Sequence, residues 1–320
     1  MNKSMHAVAL AVASLVTVTA LTAQAQDLPK VSIGMSGWTG FAPLSLAEKA
    51  GIFKKNGVDV TIKMIPQASR HLAIASGDVQ CAATTVETYV VWNANGVPIT
   101  QVVQLDKSYG ADGMAVRNSV AKIADLKGKT VGVSEPGTSP YFALGWMLKK
   151  SGLTIKDVKT TTLSPQAAAN AFNTGTDIDA AMTYEPYLSS VRDNKTAGKI
   201  IATTLDYPMV MDTFGCTPKF IKENPKLVQA MVNSYFEAID MIGKEPAKSN
   251  EIMGSVVKQT GDQFAKSSSF LRWQDKASNN KFFAGEIQAF SKEAADLLLE
   301  MGIIKSIPDV NSLVDTSFIR

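Results

Sequence analysis

Histidine is nearly missing from this 320-residue chain. There are two, and since His6 lies in the N-terminal apolar segment, His71 stands alone in the remainder. General-base options are therefore few, and His71 falls on a stretch whose spacing predicts a helix, Gln67 to Ser76, away from strand-end loops. A surface helical histidine is its ordinary role. Paired-Cys or His clusters with metal-ligand spacing are missing too, as are the G-x-x-x-x-G-K phosphate loop and the G-x-S-x-G elbow. These gaps set aside metal-assisted hydrolysis, nucleotide hydrolysis and serine-type acyl transfer. They favour binding without turnover, with no catalytic residue, no cofactor and no metal.

Cysteine is equally scarce, with only Cys81 and Cys216. A bridge between them stays open for a protein in an oxidising compartment. Both sit in apolar strand-like contexts, Val79 to Ala83 and Thr213 to Cys216, where a thiol behaves as a small hydrophobe, so two free buried thiols are the preferred expectation. Charge of one sign is also lacking: 32 basic against 29 acidic residues give a net +3. Without a dense basic run, nucleic acid is not an expected partner. The single long apolar run, Ala7 to Ala23, follows Lys3 and His6, carries no charge and ends in small residues. Ala23-Gln24-Ala25 fits a cleavage pattern, so residues 1–25 are predicted to be a signal peptide, with a mature start near Gln26 and a destination outside the cytoplasm. The run is short for a membrane span, and no cysteine follows it to carry a lipid.

What is present is an alternation of strand and helix with no internal repeat, which predicts an α/β protein with a parallel-type sheet. Val31 to Met35 reads as a strand that opens into the turn Ser36-Gly37-Trp38-Thr39-Gly40, followed by a helix Ala42 to Lys55 with Pro43 in its first turn. A second strand, Val58 to Ile62, follows Gly57. Then come the Gln67 helix, strand Val79 to Ala83, helix Val86 to Ala94 and strand Ile99 to Leu105. The charged stretch Asp106 to Asp112 interrupts the rhythm, and Gly110 to Gly113 is expected to cross into a second lobe. That lobe holds strands Gly113 to Arg117, Lys129 to Val133, Val158 to Leu163, Ala180 to Thr183 and Lys199 to Thr203, with helices Ser139 to Lys150 and Pro165 to Phe172. Leu205 to Thr213 is the expected return. Helices near 225–242, 247–258, 263–271 and 286–301 complete the chain. The division is thus 26–112 with 206–320 as one lobe and 113–205 as the other, two hinge crossings between them.

The wording Gly37-Trp38-Thr39-Gly40-Phe41-Ala42-Pro43-Leu44, then Leu46-Ala47-Glu48-Lys49-Ala50-Gly51-Ile52-Phe53 and Gly57-Val58-Asp59-Val60, resembles one known family. It is similar to the periplasmic solute-binding proteins of nitrate, sulfonate and taurine ABC importers, the NMT1/THI5-like group. The resemblance continues through Leu126 to Val133, Ala171-Phe172, Asp179 to Pro186 and Asn224-Pro225. It implies the two-lobe periplasmic-binding-protein fold of type II, with the ligand in the inter-lobe cleft. It also implies an anionic or zwitterionic organic solute of the sulfonate or taurine type, and delivery to a membrane permease with its cytoplasmic ATPase. A monomer is expected. A small nitrogenous heterocycle such as a pyrimidine, stacked between Trp38 and Tyr184, is the alternative solute, and a sensory role is the alternative use of the same clamp.

Ligands in such folds bind where loops leave the carboxyl ends of strands. Candidate contacts are Ser36, Gly37, Trp38, Thr39, Thr84, Thr85 and Glu87 from the first lobe, and Gly137, Thr138, Ser139, Tyr184 and Glu185 from the second. Asp106 and Asp212 lie near the crossings. Two helix starts, at Thr39-Gly40 and at Thr138-Ser139, would aim free N–H groups at an anionic head; Ser139 capping its own helix is the plainer role. Glu185 and Asp212 would hold a cationic end, although bracing the hinge suits them as well. A ligand of about seven heavy atoms gains at most roughly 1.5 kcal/mol per atom, and micromolar affinity needs about 8 kcal/mol. Nearly every ligand atom must then be touched, which requires a cleft that closes.

Overall fold

Alternation of apolar residues decides the first strand: in β1 (Lys30–Met35) the side chains of Val31, Ile33 and Met35 are buried. It pairs in parallel with β2 (Asp59–Met64), Lys30 opposite Asp59 through Met35 opposite Met64. The connection is not the single helix expected. A 3-10 turn over Thr39–Phe41 leads into a helix Ala42–Lys49, and Gly51, at φ 73°, separates it from a short helix Ile52–Lys55. Only glycine takes that left-handed conformation without cost, so the break is written into the sequence. The computed structural model describes residues 27–175 and 177–320, and the expected signal peptide lies outside the described residues.

The remaining strands are β3 (Cys81–Thr85), β4 (Thr100–Ser108), β5 (Asp112–Val116), β6 (Thr130–Val133), β7 (Lys159–Thr162), β8 (Ala180–Tyr184), β9 (Lys199–Thr203), β10 (Met211–Cys216) and β11 (Leu271–Trp273). They form two sheets, one in the order β11-β4-β10-β3-β1-β2 and the other β7-β6-β8-β5-β9. The expectation of a parallel-type sheet holds only in part: β10 runs antiparallel to β3 and β4, and β5 antiparallel to β8 and β9. β5 and β10 are the first strands after each crossing, and each inserts between strands already running the other way. β11 also departs from expectation, because Leu271–Trp273 extends along β4 where a helix end was expected.

The chain passes between sheets after Ser108 and again after Thr203, and the two passages are stitched together. The hydroxyls of Ser108 and Thr204 lie 2.7 Å apart, the Gly110 amide donates to Thr204 Oγ1 at 2.8 Å, and the Asp112 amide donates to Ser108 Oγ at 3.1 Å.

Helix Val86–Ala94 shows no amphipathic pattern because Val86 through Trp92 are all buried. It lies between the first sheet and helix Ile287–Glu300, and an element apolar on all sides needs such a place. Helix Pro225–Lys244 instead buries one stripe, Val228, Met231, Val232, Tyr235 and Ala238, with Tyr235 Oη donating to the Gln274 carbonyl at 3.0 Å.

The expectation of free thiols is corrected. Cys216 in β10 sits directly opposite Cys81 in β3, and the two form a disulfide across 135 residues of sequence. Both are buried, as expected of them, but local context could not reveal that these two strands are neighbours.

Candidate functional site

The Ser36–Gly40 turn after β1, the ends of β3 and β8, the helix start at Ser139 and the head of helix Gln67–Ala75 converge between the two sheets. They enclose a cavity lined by Ser36, Trp38, Gln67, Arg70, Thr84, Thr85, Asp112, Ser139, Tyr184 and Asp212, with Phe41 and Val210 as apolar walls. It holds about 290 Å³ of space between atoms, of which about 20 Å³ is open to the centre of a water-sized sphere. That is room for one or two waters, so the sheets are nearly closed on each other. A larger, more open groove with about 1260 Å³ of space between atoms lies beside Ile74, Pro98 and Phe220, but its charged side chains, Lys219 and Glu223, are exposed and it has no buried polar cluster.

Seven of the sequence candidates meet in this cavity: Ser36, Trp38, Thr84, Thr85, Ser139, Tyr184 and Asp212. Trp38, although in a turn, is 5% exposed and meets Tyr184 edge to face, ring centres 5.3 Å apart at 76°. Gly40 lies beneath it. A Cβ there would overlap the Asp106 carboxyl and the Trp38 indole nitrogen, so this glycine is needed for close approach rather than for its turn conformation. Thr39 and Glu87 are buried just behind the lining.

Other candidates lie apart. Gly37 faces a separate surface groove. Thr138 Oγ1 donates to the Glu135 carbonyl at 2.7 Å, and Gly137 packs towards Val91. Glu185 is fully buried but lies outside the lining, accepting from the Ser189 amide at 3.2 Å and from Arg192 Nε at 3.3 Å, while Arg192 also donates to the Gly110 carbonyl in the first crossing. Glu185 therefore braces the first crossing through Arg192. Ser139 does not cap its helix. Its amide donates to Gln67 Oε1 at 3.1 Å, so a helix-start N–H expected to face an anion is taken by an amide from the opposite side.

Sequence reasoning missed Gln67, Arg70 and Asp112. Gln67 reaches both ways, its Nε2 donating to Thr84 and Thr88 hydroxyls at 2.9 Å each while its Oε1 takes the Ser139 amide. Arg70 is 1% exposed; Nε and Nη2 donate to the Ile65 carbonyl and Nη1 to that of Ala83, leaving two of its five N–H groups uncommitted. Burial lowers its pKa to about 10, so it stays charged at neutral pH. The signal was there: Arg70 shares the buried face of its helix with Ile74, an odd position for an unpartnered cation.

Against this one cation stand four buried carboxyls. Asp112 and Asp212 line the cavity, with Asp106 and Glu87 behind them. Burial raises Glu87 to about 7, opposed by a hydrogen bond from the Thr85 hydroxyl, and raises Asp112 to about 7 and Asp106 to about 8. Asp212 stands well above the usual carboxylate range through burial and then the charges of Asp106, Asp112 and Glu87. Asp106 and Asp212 are direct cross-strand partners. Two carboxylates have no proton to share, so their contact becomes a hydrogen bond only when one of them is protonated. The Ser139 hydroxyl acts on Glu87, and the Trp38 indole N–H on Asp106, without reaching full hydrogen-bond geometry.

Comparison with known proteins agrees with this architecture. The alkanesulfonate-binding protein of Xanthomonas axonopodis pv. citri, solved bound to MOPS, superposes with a TM-score of 0.75 at 19% identity, covering 92% of this chain and 100% of that one. The desulfurization enzyme DszB shares the fold at a TM-score of 0.65 and 13% identity, over 91% of this chain and 97% of that one. In sequence, the taurine-binding periplasmic protein of Escherichia coli K12 is 25% identical over 309 residues, covering 91% of this chain and 93% of the relative. A putative binding protein of Brucella abortus is 23% identical over 308 residues, 93% of each chain. The family model described as NMT1/THI5 like matches residues 38–249, from the Trp38 turn through both crossings, and the chain belongs to that family.

Proposed function

We propose that this protein is the extracytoplasmic solute-binding component of an ABC importer, capturing a small anionic or zwitterionic organic solute of the sulfonate or taurine type. The observation that carries this reading is the cavity itself, closed between two sheets joined by two crossings, with the buried Arg70 guanidinium in its wall. A guanidinium with free N–H groups suits a sulfonate or carboxylate oxygen. Sulfonate- and taurine-binding relatives support the solute class, and their periplasmic setting supports the same location here. In operation the sheets rotate apart about the crossings, the solute enters, and closure wraps it before the complex docks on a membrane permease served by a cytoplasmic ATPase. The protein acts as a monomer and binds without turnover.

The pyrimidine alternative gains nothing from the geometry, because Trp38 and Tyr184 meet at 76° and form a corner, not a slot for a stacked ring. The test is a thermal-shift screen of residues 26–320, freed of co-purified ligand by unfolding and refolding, against sulfonates, amino-sulfonates, nitrate and pyrimidines. Taurine or an alkanesulfonate should raise the melting temperature by mass action, and Arg70→Met should abolish the shift. A shift with pyrimidines alone overturns the solute class.

A further inference from the structure

The acid content of the cavity wall exceeds what one guanidinium can balance. Asp112 and Asp212 are 4% and 1% exposed, and in each the Oδ2 atom has no hydrogen-bond partner. Behind them both carboxyl oxygens of Asp106 and Oε2 of Glu87 are equally unpartnered. The unpaired atoms close by that carry a proton are the Trp38 indole nitrogen and the hydroxyls of Thr39 and Ser139. Five orphaned carboxyl oxygens thus face three such donors, and only the two uncommitted Arg70 N–H groups make the numbers equal, so a solute whose anionic end takes those two leaves the carboxyls short of donors; a buried acceptor left unpaired is costly, more so when charged. A bare anion would add further acceptors to this wall. Among the described residues no three His, Cys, Asp or Glu side chains are grouped as a metal site, so a metal ion does not fit the deficit.

We propose that the cleft selects solutes bearing an N–H-rich organic cation, a primary ammonium or an amidinium, shared between the unpartnered oxygens of Asp112 and Asp212. This deepens the solute-binding reading and rests on it. Asp112 sits on β5 at the end of the outward crossing and Asp212 on β10 at the end of the return, so each crossing brings one carboxylate. A cation held by both ties the second sheet to the first. Any anionic end of the solute is left to Arg70. The N–H groups matter as well as the charge, because each orphaned oxygen needs a donor; a quaternary ammonium brings none. Trp38 and Tyr184 close the adjoining apolar wall around a short methylene chain.

The test is calorimetric titration of the refolded protein with taurine, with ethanesulfonate, which lacks only the amine, and with N,N,N-trimethyltaurine, which keeps the charge but has no N–H. Ethylamine and acetamidine probe the cation alone. Taurine is expected to bind at least tenfold more tightly than either sulfonate analogue, with ethylamine or acetamidine detectable at millimolar concentration. In Asp112→Asn and Asp212→Asn the preference for taurine over ethanesulfonate should collapse towards unity, while circular dichroism and urea unfolding establish that the variants fold. Ethanesulfonate binding as tightly as taurine overturns this inference and leaves the solute-binding reading standing. Trimethyltaurine matching taurine overturns the N–H requirement, and with it the inference. No binding by any of these amines also overturns it, whereas failure of every solute in the wider screen overturns the solute-binding reading itself.

Discussion

Raising the pH from 5 to 8 should destabilise the ligand-free protein, the reverse of what ordinary surface carboxylates would do. Asp112 goes from 3.8 to about 7 on folding and Glu87 from 4.5 to about 7, both chiefly through burial. Each carboxyl therefore keeps its proton in the folded state at pH values where the unfolded chain has released it. The folded protein binds more protons over that window, so stability is greatest below about pH 4 for these groups and is lost as the pH rises through 7. At about 1.4 kcal/mol per pKa unit, the swing between pH 5 and 8 is on the order of 2–3 kcal/mol for each. Asp106, at about 8, and Asp212, raised well above the usual carboxylate range by burial, act in the same direction. Arg70, at about 10, does not titrate in this range. The assay is urea unfolding of refolded, ligand-free protein at pH 5, 6, 7 and 8, with wild type and Asp112→Asn in parallel. Wild-type stability should fall by several kcal/mol and the variant should show a shallower slope. A stability that is flat or rises with pH would refute the assignment of these four carboxyls as buried, protonatable groups.

Three further outcomes follow from the packing. Gly40→Ala places a methyl against the Asp106 carboxyl and the Trp38 indole; unfolding by urea should record a loss of about 1–3 kcal/mol, with at least a tenfold loss of taurine affinity by calorimetry. Replacing both cysteines by alanine removes a bridge across 135 residues; loop-closure entropy puts the cost near 5 kcal/mol, to be read from the urea midpoint of the oxidised protein against the double variant. Gln67→Ala removes the amide that joins the Thr84 and Thr88 hydroxyls to the Ser139 N–H. Only the Ser139 bond crosses between the sheets, and at about 1 kcal/mol for a neutral bond stopped-flow displacement should show solute leaving roughly fivefold faster.

The strand and helix rhythm was legible because it is local: turn residues and apolar spacing marked most elements to within a few residues. Strand direction was not, since β10 reads the same along the chain whichever way its neighbours run. The same gap hid the disulfide, whose partners meet only through the register of β10 on β3. Of the cavity lining, the strand-end residues Ser36, Thr84, Thr85 and Tyr184 could be named from topology alone. Gln67 and Arg70 could not, because they sit on a helix read as lying away from the strand-end loops, and Asp112 was absorbed into a charged crossing. The Arg70 anomaly, a cation on an apolar face, was the available clue. Glu185 shows the converse: its sign suited a ligand contact or a structural brace, and the structure pairs it with Arg192 outside the cavity lining.

The hydroxyl pair of Ser108 and Thr204 changes how many ways the molecule can move. Two independent linkers would let the halves twist, slide and hinge separately. Bonded to each other and to the Gly110 and Asp112 amides, the linkers are tied together at one place, as a single joint would be. Opening about it would be one rotation, described by a single angle.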